Sequence, residues 1–189
     1  MNPNQLAECP LVLKEFLGYM ETIKGKSPKT VQEYFLDLRT FFRYMKIKKN
    51  LTAADTEFSE IPIDDITIDF LSMVSLTDVY EFMNFVTIER ENKNAARARK
   101  SASLRAFFQY LTNKTHQLKE NPVQELKTPK QKKSLPKYLT LEQSIDLLNA
   151  VDGPFRERDY CILTLFLNCG LRLAELVGLN LNDIRPDHT

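Results

Sequence analysis

The stretch Asn168-Cys169-Gly170-Leu171-Arg172-Leu173-Ala174-Glu175-Leu176 decides how the C-terminal third of the chain is read. A long apolar run, Tyr160-Cys161-Ile162-Leu163-Thr164-Leu165-Phe166-Leu167, leads into it. Gly170 breaks that run, and a glycine suits a helix C-terminus because it takes positive φ without a Cβ clash. Leu173, Leu176, Val177 and Leu179 then restart a short apolar pattern, so the spacing predicts helix, tight turn, helix. Arg172 falls in the first turn of the second helix, and Glu175 is three residues on, on the same face. A guanidinium held beside a carboxylate is a rigid fork suited to a phosphate. The same pair also serves as a structural ion pair pinning two helices, and spacing alone leaves both readings open.

Upstream, the pattern is helical throughout. Leu11, Leu13, Phe16, Leu17 and Met20 predict a helix over 8–23, ended by Lys24-Gly25-Lys26. Ser27 and Pro28 cap and open a second helix running to about residue 47, with Val31, Tyr34, Phe35, Leu38, Phe42 and Met45 as its apolar stripe. Lys26, Ser27, Lys29 and Thr30 crowd its N-terminus, where backbone N–H groups and the positive dipole end favour an anion. Residues 48–66 form an acidic connection with Pro62, and Asp64-Asp65-Ile66 starts a short helical turn through Met73. Ser75-Leu76-Thr77-Asp78 is a capping box for a helix reaching about residue 91, read as scaffold. Asn94 is the expected cap of a helix over 95–113. Its first half carries Arg97, Arg99, Lys100 and Arg105, and its stripe is Leu104, Phe107, Phe108 and Leu111. Pro122, Pro129 and Pro136 then punctuate a Lys-rich segment containing Lys127, Lys130, Lys132, Lys133 and Lys137, which reads as a linker. Thr140-Leu141-Glu142-Gln143 is a second capping box, opening a helix over 141–150. Residues 155–169 read as a buried apolar helix, and Asn180-Leu181-Asn182-Asp183-Ile184 as the start of a strand.

Net charge hides an asymmetry. Residues 50–91 hold ten acids and one base, whereas residues 92–137 hold twelve bases and two acids, and residues 24–49 eight bases and two acids. Two basic segments flanking an acidic one suggest a polarised surface, the footprint expected for a polyanion. Ordinary solvated helix faces are the competing account. The three cysteines, Cys9, Cys161 and Cys169, show no metal-ligand spacing, and their odd number argues against a disulfide framework. Free thiols in a reducing cytoplasm are the expectation. No apolar run is long enough to span a bilayer, and no targeting pattern opens the chain.

Gly170-Leu171-Arg172-x-x-Glu175-Leu176 resembles the first catalytic-arginine box of the tyrosine site-specific recombinases, the phage-integrase and Xer-like family. Three further stretches resemble that family in its own order. Ser27-Pro28-Lys29-Thr30-x-x-x-Tyr34-x-x-Asp37-Leu38-x-x-Phe41 is similar to its DNA-contacting helix. Ala98-Arg99-Lys100-x-x-Ser103-Leu104-Arg105-x-Phe107-Phe108-x-Tyr110-Leu111 is similar to the last helix of its N-terminal domain. Pro136-Lys137-Tyr138-Leu139-Thr140 is similar to the linker and first cap of its catalytic domain.

The resemblance implies a mainly α protein. Residues 1–116 would form a four-helix, SAM-like core-binding domain, 117–139 a basic linker, and 140–189 the first helices of an incomplete α-rich catalytic domain. It implies duplex DNA as partner, other recombinase subunits assembling on that DNA, no membrane, and neither metal nor cofactor. Arg172, supported by Glu175, would stabilise charge on the scissile phosphate. Lys26, Ser27, Lys29, Thr30, Tyr34, Arg97, Arg99, Lys100, Arg105, Lys130, Lys132, Lys133 and Lys137 would contact DNA. The family's remaining catalytic groups, among them its tyrosine nucleophile, are not matched in these 189 residues; His116 and His188 each lack an Arg three residues on. The implied fragment therefore binds DNA without cutting it. A helical DNA-binding module of other descent and a protein–protein adaptor working through the acidic segment stand as alternatives.

Overall fold

A computed structural model describes residues 3–53, 55–127 and 137–183. Expectations placed on Pro129, Lys130, Lys132, Lys133, Pro136, Ile184 and His188 lie outside those residues. The chain divides into two units, Met1–Lys132 and Lys133–Thr189. The elements are helical, with no strand among the described residues: α1 Pro3–Glu8, α2 Leu11–Gly18, α3 Pro28–Lys48, α4 Ile68–Ser72, α5 Leu76–Ile88 and α6 Asn94–Asn113 in the first unit, then α7 Leu141–Asn149, α8 Arg156–Cys169 and α9 Leu173–Val177 in the second. No helix of the described residues is long and apolar enough to cross a membrane.

The single helix expected over 8–23 is broken at Pro10. A proline cannot donate to the preceding turn and clashes with it, so α2 starts afresh, with the Pro10 carbonyl accepting from Leu13 and Lys14 at 3.0 Å each. The last turn, Tyr19–Ile23, widens to a π-turn, and Gly25 takes φ 58° to turn the chain into α3. Ser27 caps α3 as expected, its hydroxyl accepting from the Thr30 N–H at 3.3 Å. The α3 stripe buries Val31, Phe35, Leu38, Phe41, Phe42 and Met45.

A network of rings joins the helices. Phe41 of α3 meets Phe82 of α5 edge-on at 5.1 Å and Phe108 of α6 at 6.2 Å. Phe107 of α6 meets Phe16 of α2 at 5.3 Å and Phe42 at 5.7 Å. Leu118, Val123 and Leu126 also belong to this core. Residues 117–127, expected as the beginning of a linker, therefore pack against the first unit, because three apolar side chains at short spacing give them something to bury.

Cations of α3 staple the acidic connection. Arg43 Nε donates to the Ile61 carbonyl at 2.9 Å, and Lys46 Nζ to the Pro62 carbonyl at 2.9 Å and to Asp65. Asp78 completes the predicted capping box with Ser75 and also takes an ion pair from Lys48 Nζ at 2.6 Å. Burial works against its charged form, but the Lys48 ammonium and the Ser75 donors outweigh it and bring the carboxyl down to about 2. A carboxyl lowered on folding stabilises above its unfolded value, and that stabilisation is lost as pH falls from about 4 to 2. Roughly 2 kcal/mol should disappear across that window. Asp78→Asn should flatten the loss in urea titrations followed by circular dichroism. An identical acid profile in the variant would rule out Asp78 as its source.

In the second unit, Thr140 and Gln143 form the predicted capping box of α7. Gly170 ends α8 in the left-handed region at φ 62°. Two expectations are corrected. None of the described residues of α7, α8 or α9 is buried. Helices of nine, fourteen and five residues present too little surface to enclose the apolar run 160–167. The expected strand at Asn180 is instead a 3₁₀ turn, Leu181–Asp183, held by the Asp183 carboxylate accepting from the Asn180 N–H at 2.8 Å.

Candidate nucleic-acid interface and arginine site

Many cations of α3 are spent within the first unit. Arg39 and Arg43 pair with Glu8, Lys46 with Asp65, and Lys48 and Lys49 with Asp78. The charge asymmetry of the sequence is thus partly neutralised internally: acids of the 50–91 segment fold back onto bases of the 24–49 segment. Lys26 and Lys29 differ. Both are exposed, beside the capped N-terminus of α3, and have no ion pair among the described residues. Lys24 is nearby in sequence, its ammonium 5.9 Å from the Tyr19 ring centre. Solvent-facing positive charge on α3 therefore gathers at the helix end whose dipole also favours an anion.

The basic half of α6 shows the same economy. Arg97 donates to Asn94 and, at 3.3 Å, to Thr87. Arg99 pairs with Glu33 and, at 3.2 Å, with Asp37. Lys100 is buried, with its ammonium 2.8 Å from Asp37. Ser103 completes the cluster with a hydroxyl 3.3 Å from the same carboxylate. Burial pushes the Asp37 carboxyl above its ordinary value, while Lys100 and Ser103 pull it back. Lys100 therefore faces Asp37 and not solvent, and an inward ammonium does not reach a phosphate. Arg99 stays about one-third exposed, but its Nη1 is buried on the Glu33 side and its Nη2 faces Asp37. Arg105 is exposed and has no ion pair among the described residues. Tyr34 lies near it, half-buried and stacked on Phe16. Burial lifts the Tyr34 phenol, the Asp37 charge adds to that rise, and Arg105 opposes it. Asn94 is the first residue of α6 and not its cap: Lys93 occupies the cap position with no side-chain bond, and the Asn94 amide is taken by Arg97.

In the second unit, Arg172 stands at the N-cap of α9. Glu175 accepts from the Arg172 backbone N–H at 2.7 Å and from Nη1 at 3.0 Å. One carboxylate thus fixes both the start of the helix and the direction of the guanidinium. With helix 155–169 not buried as expected, the pair is not enclosed either: the Arg172 side chain is 85% exposed and that of Glu175 48%. Nη1 is committed to Glu175, and the other edge of the fork, with no partner among the described residues, can take an anion. Lys137 is exposed.

Among the described residues no three His, Cys, Asp or Glu side chains converge as metal ligands. Burial pushes the Cys9 thiol up to about 11, which makes it a packing residue and a poor nucleophile. The Asp37 cluster is the feature sequence reasoning missed, although Asp37 lies inside the α3 stripe between Phe35 and Leu38. A carboxylate on a core-facing stripe needs a buried partner, and Lys100 is the cation that supplies it.

No family model matches the chain, and no solved structure matches it. Curated relatives do. Tyrosine recombinase XerC of Caldanaerobacter subterraneus subsp. tengcongensis is 52% identical over 178 residues, covering 94% of this chain and 50% of that protein. Tyrosine recombinase XerD of Listeria monocytogenes serotype 4b is 31% identical over 175 residues, covering 92% and 52%. Tyrosine recombinase XerC of Myxococcus xanthus is 33% identical over 175 residues, covering 92% and 51%. The chain spans about half the length of the curated relatives it matches. With the Gly170–Leu176 box in place and agreement running over nine-tenths of its own length, the chain belongs to the tyrosine recombinase family.

Proposed function

We propose that this chain is the DNA-binding portion of a tyrosine recombinase, which grips duplex DNA and presents Arg172 to a phosphate without cleaving it alone. The observation that carries the reading is Arg172, projecting into solvent with one edge of its guanidinium held by Glu175. In this reading the first unit is the SAM-like core-binding domain. Lys26, Ser27, Lys29 and Thr30 receive a backbone phosphate at the α3 N-terminus. Lys130, Lys132, Lys133 and Lys137 strap the DNA backbone. Such contacts contribute affinity and register with little sequence information. Arg172 would neutralise charge growing on the non-bridging oxygens of a phosphate attacked by a tyrosine, a role that needs several cations at once. One arginine binds such a phosphate and does not by itself activate it. Recombinase subunits would assemble side by side on the bound duplex.

Fluorescence anisotropy on a ~30-base-pair duplex, longer than the single-turn footprint of one reading module, tests this over a salt series. Binding should weaken steeply with salt, by roughly 0.9 logarithmic units per phosphate neutralised. Lys26→Ala/Lys29→Ala should lower affinity on every duplex and make the slope shallower by about two contacts. A folded chain with no affinity for any duplex at low salt would refute the proposal. So would detectable strand cleavage by the chain alone, as regards the inactive part of it.

A further inference from the structure

The outward face of α6 carries a pattern that the phosphate contacts do not use. Ala102, Arg105, Ala106, Gln109 and Asn113 follow one another at helical spacing along a groove of about 520 Å³, closed on its far side by Asn121, Val123 and Gln124. Arg105 has no ion pair and the Gln109 carboxamide no hydrogen-bond partner among the described residues, and both are exposed. The three cations on the preceding turns, Arg97, Arg99 and Lys100, are all engaged by Asn94, Glu33 and Asp37. The free recognition chemistry of α6 is therefore an arginine fork and a planar amide flanked by two alanines, below the turns where its charge is densest.

That set of groups fits base edges better than backbone. An arginine is bidentate to the O6 and N7 of guanine, a glutamine to the N6 and N7 of adenine, and alanine accepts a thymine methyl. Arg105 and Gln109 are four residues apart, about 6 Å along the axis at 1.5 Å per residue, close to two base-pair steps at roughly 3.4 Å each. Ala102 and Ala106 are half-buried beside them, Ala106 against the core, and add no bulk that would hold the helix off a groove floor. We propose that Arg105 and Gln109 are the specificity-determining residues of the first unit, reading a G·C and an A·T pair about two steps apart, and that Arg97, Arg99 and Lys100 do not discriminate sequence. This inference rests on the DNA-binding reading above.

The test is selection of preferred duplexes from a random pool by the full chain, then anisotropy on the enriched duplex and its single-base-pair variants. Wild-type protein should enrich a motif. Arg105→Ala should lose roughly tenfold or more of the discrimination at one G·C pair, and Gln109→Ala the same at one A·T pair, each leaving other positions unchanged. Lys29→Ala should weaken all duplexes alike. Gln109 is exposed and its variant should fold, which circular dichroism verifies, so the test does not depend on the arginine variant. Binding without any enriched motif, or unaltered discrimination in both variants, overturns the specificity assignment and leaves the DNA reading intact. No binding of the folded wild-type chain to any duplex overturns both.

Discussion

Asp37→Ala is expected to destabilise the first unit by about 3–5 kcal/mol, the usual cost of removing one partner of a buried ion pair. The carboxylate is 2% exposed and meets Lys100 Nζ at 2.8 Å, Arg99 Nη2 at 3.2 Å and Ser103 Oγ at 3.3 Å. Its loss strands the ammonium of Lys100, a residue only 8% exposed, without its partner. Most of the cost is that uncompensated charge and not the value of the pair. Asp37→Leu/Lys100→Met should therefore recover most of the loss, since an apolar pair of similar size asks for no solvation. With total stabilities of about 5–15 kcal/mol typical of domains, the single variant should sit near its folding threshold at physiological temperature. Urea midpoints read by far-ultraviolet circular dichroism at neutral pH decide the matter. A single-variant cost under about 1 kcal/mol would mean that Lys100 finds solvent or another acid, and would refute the buried-pair account.

The same cluster shows why the sequence gives helices readily and interfaces poorly. Helix positions follow from local causes. Ser27-Pro28, Ser75-x-x-Asp78, Thr140-x-x-Gln143 and Gly170 each act within one turn, and each holds where expected. The error at Pro10 is local too: the apolar spacing on both sides of it is continuous, and only the missing N–H separates α1 from α2. The strand expected at Asn180 fails for a similar reason, because Asp183 offers the Asn180 N–H a side-chain acceptor that closes a turn.

Charges are another matter, because their partners lie far along the chain. Lys100 and Asp37 are sixty-three residues apart, and Arg43 and Glu8 thirty-five. From composition, the basic half of α6 and the basic run of α3 look equally available to a polyanion. In the fold, acids from α1, α3 and the 50–91 segment claim most of them, Arg97 turns to Asn94 and Thr87, and Lys26, Lys29 and Arg105 have no ion pair among the described residues. The Arg172–Glu175 pair was legible because its partners are three residues apart, but its exposure was not. Enclosure depends on how much surface the neighbouring helices bring, and three short ones bring little.

Phe41→Ala should cost about 3–5 kcal/mol, as removal of a fully buried aromatic side chain does. The Phe41 ring is at the junction of three helices, with Phe42 on its own helix at 6.0 Å, Phe82 of α5 at 5.1 Å and Phe108 of α6 at 6.2 Å. All four rings are fully buried, and close-packed rings on three elements cannot collapse together into the space left, so a cavity remains. Phe58→Ala is the control. Phe58 is half-exposed, touching Phe85 at 5.6 Å and the Arg90 guanidinium at 4.8 Å, and its removal should cost about 1 kcal/mol. Both variants should keep the urea slope and shift only the midpoint. The consequence for binding separates packing from recognition. Phe41 touches no surface, so the folded fraction of Phe41→Ala should bind duplex with wild-type affinity and an unchanged salt slope. Its apparent affinity at 37 °C should fall in step with the unfolded fraction and recover on cooling towards 15 °C, nearer the temperature of greatest stability. A lower affinity at a temperature where circular dichroism reports full folding would mean instead that the ring junction sets the angle between α3 and α6. Lys29 and Arg105 would then owe their spacing to it.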